Sequence, residues 1–173
     1  MTILDPKSYY HARKDPRWQV AMDEEMNSLQ KNTTWELVSL PLGRKLVQCK
    51  SAFQNKVETA ERTYKYKAIL VAKFFFHVQG VDYHETFALV AKMESIRLVL
   101  AISASKHWEV HHMDVKLAFL NGYIHEEIYM NHPKGYITDP SLVFKLKKSL
   151  YGLKQAPREG YSKMDTFLLS KNF

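Results

Sequence analysis

Residues 108–122 read WEVHHMDVKLAFLNG, and the interpretation of the whole chain starts from this stretch. The apolar residues between Trp108 and Val115 predict a strand, and residues 116–120 predict a helical turn behind it. Asp114 lies where the predicted strand ends and the backbone turns away. A carboxylate held there can bind Mg²⁺, although a lone aspartate before a turn is more often a helix cap.

A complete metal site for phosphoryl transfer requires further carboxylates, because two ions must be bridged and their charge balanced. The chain contains no Asp-Asp pair. Glu24-Glu25, on the polar side of a predicted helix, is most simply solvated. Glu126-Glu127, before a predicted strand, could lie near a site, although a pair of acids in a loop is usually solvated. His111 and His112 would point to opposite faces of a strand, so they do not suggest a zinc site. The predicted metal site therefore remains incomplete.

Outward from this stretch, the remaining elements follow from local signals. Asp15 before Pro16 predicts a helix cap, and Trp18, Met22, Met26 and Leu29 recur at helical spacing. Residues 95–105 (SIRLVLAISAS) predict a helix that is apolar on most faces and therefore buried. The other predicted elements are strands and one more helix: Trp35–Val38, a hairpin of about 45–58 and 64–73, Ile128–Met130, Val143–Leu146, and a helix opening at Ala156 with Tyr161, Met164 and Leu168 on one face. This mixture predicts an α+β fold.

Positive charge is concentrated in two parts of the chain, whose formal net charge is +7. Residues 44–73 carry eight lysines and arginines against Glu58 and Glu61, and residues 134–163 carry seven against Asp139 and Glu159. Two basic islands on an otherwise mildly acidic chain indicate a polyanionic partner. The alternative is a solubilising surface that binds nothing.

Composition excludes several classes of protein. Hydrophobic residues make up 46% of the chain and charged residues 25%, as in ordinary globular domains rather than disordered ones. A single cysteine, Cys49, allows no internal disulfide. The sequence shows neither a signal peptide nor a membrane-spanning run, so we expect an intracellular protein, cytoplasmic or nuclear, without a membrane partner. No Walker A, dinucleotide, Gly-x-Ser-x-Gly or HExxH motif occurs.

Three longer segments, taken together, resemble the reverse transcriptase of copia-type LTR retrotransposons, and the likeness covers nearly the whole chain in the family's order. The segments are Tyr66–Lys73 continuing through Gly80–Tyr83, Glu85–Phe87 and Val90–Met93; Met113–Gly122 continuing through Glu126–Met130 and Pro133–Tyr136; and Lys145–Arg158. Asp15–Trp18 and Asn32–Val38 also fit. The resemblance implies an RNA-directed DNA polymerase whose cofactor is Mg²⁺ and whose partners are deoxynucleotides and an RNA or DNA primer–template.

By the same resemblance, the chain is a single partial domain that comprises the fingers and part of the palm of a right-handed polymerase. About 1–93 would be fingers-like and about 94–173 palm-like, and the Tyr-x-Asp-Asp hairpin with the other catalytic acids would lie beyond Phe173. Asp114 matches the catalytic, metal-binding aspartate. Phe119, Gln155 and Lys73 are implied nucleotide-binding residues, and the implied nucleic-acid-binding residues are Lys65, Lys67, Lys154 and Arg158.

Several residues depart from the family pattern. Ile69 stands where the family usually has an arginine, Phe74, Phe76 and His77 replace a polar turn, and Ser51 and Gly160 replace tryptophans. With one catalytic aspartate and these substitutions, we expect the chain alone to be inactive. Two alternatives remain open: a co-opted, non-catalytic nucleic-acid-binding module, and the non-functional product of a relic reading frame.

Overall fold

The computed structural model describes residues 5–58, 63–73, 91–115, 118–137 and 139–173. The helices are α1 (Tyr9–Ala12), α2 (Pro16–Lys31), α3 (Met93–Ser105) and α4 (Ala156–Ser170), with a 3₁₀ helix at Ala118–Asn121. The aromatic cluster predicted at Phe74, Phe76 and His77 lies outside the described residues. No helix in the described part of the chain is both long enough and apolar enough to cross a membrane.

Helix α2 begins at the capping signal that the sequence contains. The Asp15 carboxylate accepts a hydrogen bond of 2.9 Å from the backbone N–H of Arg17, and Pro16 occupies the first turn, where its missing N–H costs nothing. The Arg17 guanidinium lies 2.7 Å from the same carboxylate. Hydrogen bonds from the Arg17 side chain and from its backbone N–H lower the pKa of Asp15 from its ordinary value. The predicted cap and the helix 16–31 are confirmed.

Five strands form one mixed sheet in the order β1-β5-β4-β2-β3. The strands are β1 (Trp35–Ser39), β2 (Leu46–Glu58), β3 (Thr63–Lys73), β4 (Tyr129–Met130) and β5 (Leu142–Leu146). Neighbours pair antiparallel except for β2 and β4, which run parallel. The α+β class is confirmed, and so are the strand Trp35–Val38, the hairpin of about 45–58 and 64–73, and the strands Ile128–Met130 and Val143–Leu146.

The long hairpin of β2 and β3 places its lysines by simple alternation. Side chains of successive strand residues point to opposite faces. Ala68, Leu70 and Ala72 are buried, whereas Lys67 and Lys73 are exposed on the other face. The basic residues of the hairpin therefore share one face, while its apolar residues support the core.

Two apolar clusters hold the fold together, and α2 contributes to both. In the smaller cluster, the Trp18 ring packs edge-on against Phe53 and Tyr66, with centroid distances of 5.3 and 4.8 Å. In the larger cluster, Leu29 packs among residues of the sheet, the 3₁₀ helix and the start of α4. Its other buried members are Val47, Leu70, Ala72, Leu120, Ile128, Met130, Phe144, Leu146, Leu150, Leu153 and Ala156.

The strand predicted at Trp108–Val115 is wrong. These residues form no regular secondary structure, and Trp108, Val110 and Met113 are exposed. A strand requires a neighbour that accepts and donates its backbone hydrogen bonds, and no described strand pairs with this segment. The residue types of this segment favour an extended backbone, but a strand also requires a neighbouring strand, which the residue types do not reveal.

The helix predicted at 95–105 is confirmed as α3, but its predicted burial is wrong. Leu98 is 61% exposed and Val99 60%, and Ser103 is the helix's buried residue. Similarly, Tyr161 and Met164, on the predicted apolar face of α4, are exposed. Apolar periodicity predicts which face of a helix can be buried, but that face is buried only where another part of the protein packs against it.

We predict that the exposed apolar face of α3 makes the chain self-associate and bind ANS. Replacing Leu98 and Val99 with glutamine should reduce light scattering and ANS fluorescence, because both side chains meet solvent. Met22→Gln is the matched control: it places an amide in the core and should lower stability by about 1–3 kcal/mol without improving solubility. A monodisperse, ANS-silent wild-type chain would contradict the prediction.

Candidate nucleic-acid interface

A cleft of about 720 Å³ lies between α2, β3 and the segment that carries Asp114. It brings together Asp114, Lys65 and Lys67, which the sequence analysis singled out separately. The cleft also contains side chains that sequence reasoning did not select. Its full lining is Ala21, Glu24, Glu25, Lys56, Lys65, Tyr66, Lys67, Ala68, Asp114, Val115, Ala118 and Tyr151.

Three lysines give one side of the cleft its positive charge. Lys65 and Lys67 project from β3, and Lys56 lies directly opposite Lys65 on β2. Like charges at directly opposite positions of two strands repel each other. An anion between these ammonium groups would relieve that repulsion. The carboxylates of Glu24, Glu25 and Asp114 also line the cleft, so its positive charge is confined to the lysine side.

Glu25 is a cleft residue that the sequence analysis interpreted as solvated. It is partly buried, and its Oε1 accepts a hydrogen bond of 3.1 Å from the backbone N–H of Leu70. Burial raises the pKa of Glu25, and this hydrogen bond and the nearby charge of Lys67 oppose the shift. The sequence did contain a signal: Glu25 follows Met22 by three residues and precedes Leu29 by four, which places it on the apolar stripe of α2.

Tyr151, which also lines the cleft, is a second residue that sequence reasoning missed. Its carbonyl oxygen accepts a hydrogen bond of 2.7 Å from the backbone N–H of Ala72. The Phe119 ring packs edge-on against the Tyr151 ring, with a centroid distance of 4.8 Å. The next residue, Gly152, has φ +90° and lies so close to the Ala72 carbonyl that a Cβ would collide with it. This contact fixes the Lys145–Arg158 segment to the end of β3.

Phe119 sits in the 3₁₀ helix, directly against α4. A Cβ at Gly160 would lie 3.1 Å from the Ala118 carbonyl oxygen and 3.5 Å from Cδ1 of Phe119. Gly160 is one of the positions where the chain departs from the family pattern. The absence of a side chain there lets α4 approach the 3₁₀ helix closely and so fixes the Phe119 ring.

The structure does not bring the other predicted site residues into the same cleft. Gln155 is 1% exposed, and neither its amide oxygen nor its amide nitrogen has a hydrogen-bond partner among the described residues. Lys73 is exposed at the end of β3, opposite Gln48. Lys154 is exposed and Arg158 half-buried beside the start of α4. Their roles in binding nucleotide and nucleic acid remain predictions.

The residues present do not fit a complete Mg²⁺ site. Within the described ranges, no three His, Cys, Asp or Glu side chains converge as a metal site would require. Asp114 is exposed, and Glu127 instead pairs with Arg44 and, at 3.2 Å, with Lys145. Asp114 therefore remains one predicted ligand, and we assign it no catalytic step.

Comparisons with known proteins confirm the family resemblance found in the sequence. Residues 32–173 match the family described as Reverse transcriptase (RNA-dependent DNA polymerase). The chain is 48% identical over 155 residues to the retrovirus-related Pol polyprotein from transposon TNT 1-94 of Nicotiana tabacum, covering 88% of this chain. It is 41% identical over 172 residues to the corresponding polyprotein from transposon RE1 of Arabidopsis thaliana, covering 98% of this chain. The chain spans 12% of the length of each relative. No solved structure matches it.

We predict that Gly152→Ala separates the Lys145–Arg158 segment from β3. The substitution combines a positive φ with a collision against Ala72, and it should destabilise the fold by more than about 2 kcal/mol in urea denaturation. Gly43→Ala is the matched control, because Gly43 also has a positive φ (+79°) but a Cβ there would meet no atom within 4 Å. We expect it to cost only about 1 kcal/mol. Equal losses in the two variants would show that the Ala72 contact contributes nothing.

Proposed function

The chain belongs to the reverse transcriptase (RNA-dependent DNA polymerase) family, and we propose that it forms the nucleotide- and template-binding part of a copia-type polymerase. The observation that carries this proposal is the cleft that Asp114, Lys65 and Lys67 line together. Asp114 follows Lys67 by 47 residues and Lys65 by 49 in the sequence, so the fold alone brings these groups together. The substrates are deoxynucleotides and a primer–template, and the ligand of the lysines is phosphate.

The lysine side of the cleft supports phosphate binding in preference to a neutral ligand. Lys56, Lys65 and Lys67 are exposed there, and the carboxylates of Glu24, Glu25 and Asp114 form another part of the lining. Phosphates that contact lysines release counterions, which favours association. Ile69, on the same strand face as Lys67, replaces the arginine expected by resemblance, so this face of β3 lacks a bidentate phosphate ligand at that position.

In this proposal the fingers-like part, about 1–93, and the palm-like part, about 94–173, form one unit. The hairpin strand β2 pairs with β4 through Leu46–Tyr129 and Val47–Met130, so one sheet crosses the boundary. Leu29 from the first part and Leu150 from the second share the larger apolar cluster. Both observations support a single partial domain.

A non-catalytic nucleic-acid-binding module is the second candidate. The lysines of β2 and β3 and the cleft that they line would suffice for that role, whereas catalysis would require a cluster of carboxylates that the described residues do not form. The two candidates predict the same binding and differ in polymerisation. An unfolded relic product would show neither.

We predict sequence-indifferent, salt-sensitive binding of an RNA–DNA hybrid by the exposed lysines of β3, two of which line the cleft. Changing Lys65, Lys67 and Lys73 together to glutamine should weaken binding and reduce the slope of log affinity against log salt by about 2–3 in fluorescence anisotropy titrations. The matched control changes Lys7, Lys14 and Lys31, which removes the same charge from exposed positions outside the cleft lining. If both triple variants lose affinity equally, the hairpin lysines are only a solubilising surface.

We also predict that the 173-residue chain does not extend a primer on RNA or DNA. Asp114 alone cannot balance the charge of two metal ions at a triphosphate. Each missing group, whether a further carboxylate or the arginine that Ile69 replaces, should cost roughly 3 kcal/mol of transition-state stabilisation. The measurement is incorporation of labelled deoxynucleotide, with an active reverse transcriptase as positive control. Extension above background that Asp114→Asn abolishes would contradict the prediction.

A further inference from the structure

An exposed tyrosine outside the cleft carries two lysine ammonium groups over its ring. The Tyr123 side chain is 57% exposed. The Nζ atoms of Lys148 and Lys163 lie 5.9 and 5.8 Å from its ring centroid. One lysine follows β5 and the other belongs to α4, so two separate elements direct positive charge to the same ring.

The backbone around Tyr123 is held in place. Tyr123 pairs with Lys148 in an antiparallel bridge, and the N–H of Ile124 donates to the carbonyl of Lys147 at 3.1 Å. On the other side, the N–H of Ser149 donates to the carbonyl of Gly122 at 2.9 Å. The ring is therefore presented by a fixed segment and would lose little conformational freedom when a ligand binds.

Helix α4 approaches this segment at a glycine. A Cβ at Gly122 would lie 2.6 Å from Cβ of Glu159, so only a residue without a side chain allows this separation. Lys163 follows Glu159 by one helical turn, and its ammonium group lies over Tyr123. Close packing of the helix is thus what brings the second lysine to the ring.

Among the described residues, no carboxylate pairs with either of the two ammonium groups. Neither Lys148 nor Lys163 forms an ion pair within the described ranges, whereas the neighbouring Lys147 lies 2.7 Å from Glu36. Glu159 is the acid that α4 places one turn from Lys163, and it forms no described ion pair with that lysine. Two positive groups over one exposed ring therefore favour a ligand that combines a flat aromatic group with negative charge.

We propose that Tyr123, Lys148 and Lys163 form a stacking platform for single-stranded nucleic acid. A base stacks on the Tyr123 ring, and the two lysine side chains move from above the ring to the phosphates on either side of that base. Every base has a π-face, so the platform accepts any sequence. An acidic peptide would satisfy the lysines but would leave the ring without a stacking partner. The platform shares no residue with the cleft, so it does not depend on the function proposed for the cleft.

The test measures anisotropy of a labelled oligothymidylate of roughly 12 nucleotides with the full chain. Tyr123→Ala should weaken binding about 10-fold, the loss of one stacked base, whereas Tyr123→Phe keeps the ring and should stay within about 2-fold of wild type. Changing Lys148 and Lys163 to glutamine should reduce the salt slope by about 1.4. Tyr161→Ala, which removes another exposed tyrosine on α4, should leave affinity unchanged.

Several outcomes distinguish this proposal from the cleft. The Lys65, Lys67 and Lys73 variant should retain the effect of Tyr123→Ala, because the two surfaces act separately. The proposal is overturned if Tyr123→Ala binds like wild type, or if poly-glutamate displaces the strand as well as unlabelled oligothymidylate does. Photocrosslinking of a strand that contains 5-iodouridine provides a readout on the wild-type chain. The crosslinked peptide should contain Tyr123, and crosslinking confined to other peptides would also overturn the proposal.

Discussion

The hydrogen bond from the Ala72 N–H to the Tyr151 carbonyl, 2.7 Å long, joins two halves of the site that the chain encodes far apart. Gly152 makes the contact possible, because its positive φ and missing Cβ let the backbone lie against Ala72. Once Tyr151 is held there, its ring supports Phe119. The cleft between Asp114 and the β3 lysines depends on this junction, since Tyr151 forms part of its lining.

Burial of Glu25 shows that the cleft is not built for maximum stability. A carboxyl whose folded-state pKa is raised stabilises the fold fully below its unfolded value, here the ordinary 4.5, and that contribution is lost as pH rises through the raised pKa. At neutral pH the ionised Glu25 therefore opposes folding, and the Leu70 N–H and Lys67 offset part of the cost. The hydrogen bond from the Leu70 N–H to Glu25 connects α2 to β3 beside the lysines of the cleft.

Elements specified by neighbouring residues could be predicted from the sequence, and those that depend on distant partners could not. Asp15 and Pro16 determined where α2 begins, and the alternation along β3 placed its lysines on one face. The segment 108–115 has the composition of a strand, but pairing requires a second strand that composition does not reveal. The sequence identified Asp114 and the lysines separately. The contact of Tyr151 with β3 could not be predicted, because its backbone carbonyl accepts the Ala72 hydrogen bond and every residue has such a carbonyl.

Helix α4 links the cleft to the proposed platform through two glycines. Gly160 lets the helix approach Ala118 and Phe119, whose ring contacts Tyr151 in the cleft. Gly122 lets the same helix approach the segment that presents Tyr123. A shift of α4 would therefore move Phe119 and Lys163 together, because packed side chains transmit displacement rather than absorb it. The two surfaces are chemically independent, yet one helix sets the geometry of both.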